Sequence, residues 1–62
     1  MNLKELRERA GLKQADVAKK LYVTVSAVCN WEIGANKISR KYHKKLARLY
    51  GVTVDELLAA GK

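Results

Sequence analysis

The sequence has no proline and no phenylalanine, and only one cysteine, one histidine and six acidic residues among 62. Each scarcity closes a class. Cys29 has no intrachain partner, so a disulfide framework is excluded and a reducing cytoplasm is the expected compartment. Structural zinc takes about four ligands, and His43 with Cys29 falls short of that within one chain. No metal, cofactor or small-molecule ligand is expected. One Trp and three Tyr give no aromatic platform for stacking single-stranded bases. No apolar run approaches the ~20 residues of a membrane span, and the first residues, Met1 to Glu5, do not make a signal peptide. The length allows one domain, residues 1–62. A chain this short buries only ~60 % of its unfolded surface, too little for a core and a deep substrate cleft together, so an enzyme is not expected.

What the chain does have is cations. Thirteen Lys and Arg against the six acids leave a formal charge of +7, which implies an anionic partner, most commonly nucleic acid. The apolar fraction, 48 %, is that of a globular domain and exceeds that of a disordered basic tail.

The hydrophobic spacing predicts an all-α bundle of five short helices. The first spans about 2–10, with Asn2 and Glu5 at capping-box spacing and Leu3, Leu6 and Ala10 on one face. The second spans about 14–21, with Val17, Ala18 and Leu21 at core positions. The third follows Thr24 as N-cap and ends before Gly34. The fourth begins near Ser39 and ends before Gly51. The fifth opens on the capping box Thr53–Glu56 and carries Leu57 and Leu58. Gly11, Gly34, Gly51 and Gly61 each stand where a left-handed helix cap belongs.

The stretch from Gln14 to Ile33 carries the most information. Two helices joined by about three residues must cross steeply, and the small Ala18 permits close approach. At 100° per residue, Val28 and Trp31 share one side of the third helix, with Ala27 beside them. Val25, Ser26, Cys29, Asn30 and Ile33 collect opposite, and none is charged. A helix with such a face fits the major groove. There Asn30 can pair with adenine, Ser26 with several bases, and Val25 and Ile33 can touch thymine methyls. The same face also fits a merely solvated surface with Ile33 folded back on the core.

A second pattern follows. Lys37, Arg40, Lys41, Lys44, Lys45 and Arg48 hold six of the thirteen cations with no acid between them. Their spacing is one helical face, provided the fourth helix reaches back to Lys37. Ile38, Tyr42, Leu46, Leu49 and Tyr50 take the other side, and His43 near them reads as a packing residue. A stripe of this kind serves either as a solvated face or as a phosphate contact.

Residues 3–58 resemble the Cro/XRE-type helix-turn-helix family of lambda-repressor-like domains. The resemblance is carried by Leu3-Lys4-Glu5-Leu6-Arg7, Ala10-Gly11-Leu12-Lys13-Gln14, Val17-Ala18, Leu21, Val28, Trp31-Glu32 and Gly34. It resumes at Leu46-Ala47, Leu49, Gly51-Val52 and Val54-Asp55-Glu56-Leu57-Leu58. The resemblance implies a compact five-helix bundle with the motif at about 14–33, whose second helix reads double-stranded DNA. It implies that Gln14 contacts a phosphate or buttresses that helix, that Lys13 and Thr24 lie by the backbone, and that Val25, Ser26, Cys29 and Asn30 face bases. It implies phosphate contact by Lys37, Arg40 and Lys41, and a partly buried ion pair between Arg7 and Glu32.

Three positions depart from the family pattern. Tyr22 stands in the turn where relatives have Gly, and a left-handed backbone there costs a non-glycine roughly 1 kcal/mol. Cys29 replaces a more usual polar residue. The segment after Gly34 lacks the Pro that many relatives carry.

The expectation is a sequence-specific transcriptional regulator, a repressor that occupies an inverted-repeat operator as a homodimer, in a bacterial or phage-type cytoplasm at the nucleoid. One such domain reads few base pairs, so two copies on half-sites about one turn apart would supply specificity. Leu57, Leu58 and Ala59 are the candidate dimer surface, with one of the two leucines also serving the core. No effector or dedicated oligomerisation domain is expected within these 62 residues. The alternative is a protein-interaction module, antitoxin-like or anti-repressor, that uses the third-helix face. A peripheral membrane role for the basic stripe is weaker, since no Trp or Phe is available to insert.

Overall fold

In the computed structural model, which describes residues 2–61, three of the five helices start on side-chain caps. Met1 and Lys62, the ends of the expected 1–62 domain, lie outside the described residues. Helix α1 (Leu3–Arg9) opens on a reciprocal box: the Glu5 amide donates to Asn2 Oδ1 at 2.9 Å and the Asn2 amide to Glu5 Oε1 at 3.2 Å. Helix α5 (Val54–Ala60) repeats it with Thr53 and Glu56. Helix α3 (Val25–Ile33) begins where Thr24 Oγ1 accepts from the Ala27 amide at 3.1 Å. Lysine has no acceptor, so α2 (Gln14–Leu21) has only the return half: the Lys13 amide donates to Asp16 Oδ2 at 2.9 Å.

Helix α4 spans Arg40–Tyr50, so Lys37 precedes it instead of opening its stripe. Extended backbone at Ser39 (φ −61°, ψ 142°) ends the helix there. Gly34 and Gly51 take the left-handed conformation at the ends of α3 and α4, but Gly61 is right-handed at φ −83° and does not.

Five helices, with no strand among the described residues, make the expected all-α bundle. α2 packs mainly on α3, and α4 on α5. Their shared core is Leu3, Leu6, Val17, Ala18, Leu21, Val28, Trp31, Leu46, Ala47, Tyr50 and Leu57. The Trp31 and Tyr42 rings meet at 5.6 Å and join α3 to α4 at its edge. Among the described residues no helix is long and apolar enough to cross a membrane.

Candidate nucleic-acid interface

The tilt of α3 is set by one buried carboxylate. Arg7 Nε on α1 donates to Glu32 Oε2 at 2.6 Å, and Gln14 Nε2 at the head of α2 donates to Glu32 Oε1 at 3.0 Å. Arg7 Nη1 adds a bond to the Leu12 carbonyl at 2.9 Å, which fixes the α1–α2 loop. Two helices, α1 and α2, are thereby tied to the C-terminal half of α3. The hydrogen bond to Glu32 raises the Arg7 pKa above its ordinary value against the opposing effect of burial. Nearby Tyr50 is pushed up to about 12, first by burial and then by the Glu32 charge, with Arg7 opposing. Gln14 thus acts as a buttress of α3.

With its inner side held, α3 turns an uncharged face outward. Val25 and Ser26 are exposed at its head, and Cys29 and Asn30 are half-buried one turn on. Ile33 does not fold back on the core: it is 70 % exposed and completes the same face. Its place on the helical wheel carried that signal, although the resemblance had not marked it as a base-facing position.

Exposed donors stand at the helix heads and in the loop that follows α3. Lys13 and Thr24 are exposed at the heads of α2 and α3. The Thr24 oxygen already accepts from Ala27, which leaves its hydroxyl proton free to donate. Beyond the far end of α3, the 34–39 loop carries exposed Lys37. That loop is pinned by His43 Nε2, 2.9 Å from the Ile38 carbonyl, a bond that apolar spacing had not anticipated. Arg40 and Lys41 are exposed in the first turn of α4, with Lys41 Nζ 5.1 Å above the Tyr42 ring. Lys37, Arg40 and Lys41 have no carboxylate partner among the described residues.

The first turn of α4 is built against its own stability. It has no acid and no side-chain cap at Ser39, and it carries two cations where the helix dipole favours anions. Helix-terminal amides and two cations at one end are an arrangement that favours a negative charge nearby.

The candidate dimer residues separate. Leu57 is 0 % exposed and is a core residue, so it drops out of the outer surface. Leu58, 41 % exposed, and Ala59 remain outside. Leu58 borders an apolar depression of about 250 Å³ with Leu3, Ile38 and His43. No group of three or more His, Cys, Asp or Glu that could hold a metal occurs among the described residues.

A helix-turn-helix family profile matches residues 3–57. The HTH-type transcriptional activator BcrR of Enterococcus faecalis is 35 % identical over 57 residues, covering 92 % of this chain. The chain spans only 28 % of that relative's length. No solved structure matches. The profile, the paired helices and the uncharged outer face of α3 agree: the chain belongs to the XRE-type helix-turn-helix family of DNA-binding transcription regulators.

Proposed function

We propose that this chain is the reading head of a sequence-specific regulator that binds an inverted-repeat operator as a homodimer. The observation that carries the reading is the uncharged α3 face together with exposed donors around it: Thr24 at the head of α3, Lys13 at the head of α2, and Lys37, Arg40 and Lys41 after the end of α3. Phosphate contacts fix register and orientation without reading sequence, whereas an uncharged face of short side chains approaches the base edges. Asn30 and Ser26 supply the hydrogen bonds, Val25 an apolar contact, and Cys29 a small surface between them.

A single α3 is ~13 Å long and meets few base pairs, which favours paired use of the domain. Leu58 and Ala59 supply the surface for a second copy. Repression by occupancy is the simplest output, because it needs no contact beyond DNA. The similarity to a protein named an activator leaves a role in activation to the position of the operator and to further segments.

Selection of binding sites from random duplex DNA tests this reading. The expected product is an inverted repeat with half-site centres about 10 base pairs apart. Leu58→Asp should retain the helical fold and select single half-sites. A selection without consensus contradicts sequence reading and favours a protein partner for the α3 face. A non-symmetric consensus contradicts the homodimer.

A further inference from the structure

Ile33 is the last residue of α3, and 70 % of it is exposed. It belongs neither to the core nor to the partly buried shell around it. Folding does not account for it, since a β-branched side chain is a modest helix former and its apolar surface stays in water. At 100° per residue it projects between Cys29 and Ser26, four and seven residues earlier, and beside Asn30. It therefore lies at the centre of the face assigned to the groove.

Val25, 45 % exposed, opens that face. The eight residue steps from Val25 to Ile33 cover ~12 Å of helix axis, about three and a half base-pair steps. The polar Ser26 and Asn30 lie between these two apolar ends. Lys37, Arg40 and Lys41 follow Ile33 in the chain, so phosphate contact beyond it holds this end of α3 against the duplex as Thr24, the N-cap, holds the other. In the major groove the apolar group presented by a base is the thymine C5-methyl.

We propose that Ile33 is a specificity-determining residue that reads a thymine methyl at the end of each half-site opposite to the base pair met by Val25. The inference rests on the DNA-reading proposal above and narrows it to one chemical group.

Deoxyuridine differs from thymidine by that methyl alone. The probe is the duplex selected from random DNA, with each thymine replaced in turn by deoxyuridine, titrated by fluorescence polarisation with the wild-type chain and Ile33→Ala. One position per half-site should weaken wild-type binding about fourfold per methyl removed. The same replacement should leave Ile33→Ala unaffected. Ile33→Thr keeps the branch at Cβ with less apolar reach, and should show a reduced difference between thymine and deoxyuridine. Circular-dichroism melting should be the same for all three proteins, since the side chain is exposed. The inference is overturned if both variants respond to every replacement as the wild type does, or if no replacement affects the wild type, and DNA reading then still stands. If no duplex is retained at all, the DNA-reading proposal fails and this inference falls with it.

Discussion

Glu32 receives Arg7 Nε at 2.6 Å across the interior, so the reading helix is oriented by an ion pair that begins on α1. Both side chains are nearly closed to solvent, at 11 % and 7 % exposed. Removing one partner strands a desolvated charge, at a cost of about 3–5 kcal/mol. A domain of this size has roughly 3–9 kcal/mol of stability in all. Glu32→Ala and Arg7→Ala should each abolish most of the cooperative transition in thermal circular dichroism. Arg7→Met combined with Glu32→Leu should recover it, because an apolar pair leaves no buried charge behind.

Tyr22 ends α2 in the left-handed region at φ 58° and is 91 % exposed, so its ring returns little packing for the strain. Tyr22→Gly should stabilise the fold by about 0.5–1 kcal/mol, the relieved strain less the greater chain entropy of glycine. Tyr22→Val should destabilise it, because a branched Cβ fits that region worst. Chemical denaturation of the three proteins gives the order directly.

The raised pKa of Tyr50 fixes a sign. A group whose pKa rises from 10.0 to about 12 on folding favours its neutral form in the native state. Its contribution is complete below pH 10 and is lost as pH rises toward 12. The wild type should lose stability over that window more steeply than Tyr50→Phe, as urea midpoints on either side of it will register.

On DNA, Asn30→Ala should cost about 1–3 kcal/mol at one base-pair step and leave other sequences unchanged. Arg40→Ala should weaken every duplex alike and reduce the salt slope by about one for each copy bound. Competition titrations with point-substituted duplexes distinguish the two patterns. Equal losses on all sequences from Asn30→Ala would place it outside direct readout.

Much of this architecture was legible because its signals are local. Thr24, Thr53 and Asn2 lie three residues from the amides they cap, and the turns of α3 and α4 end at glycines that adopt positive φ. Resemblance supplied the Arg7–Glu32 pairing, which lies 25 residues apart and leaves no periodic trace. The Gln14–Glu32 bond was hidden for the same reason, since a sequence shows that a glutamine is exposed or not but not which carboxylate it meets. Leu57 and Leu58 are adjacent and chemically identical, so only packing assigns one to the core and the other to the surface. Spacing continued the basic stripe to Lys37, but the extended backbone at Ser39 takes that residue off the helix.

The central claim is a division of labour, with flanking cations holding DNA and the uncharged α3 face choosing it. Titrating the selected duplex and a scrambled one between 50 and 200 mM salt tests both halves together. A dimer that neutralises ~6–10 phosphates should lose about 10³–10⁵ in affinity for both duplexes across that range. The preference for the selected duplex should stay nearly constant, because uncharged contacts release no counterions. Salt-insensitive binding, or a preference that disappears along with the affinity, would contradict the account.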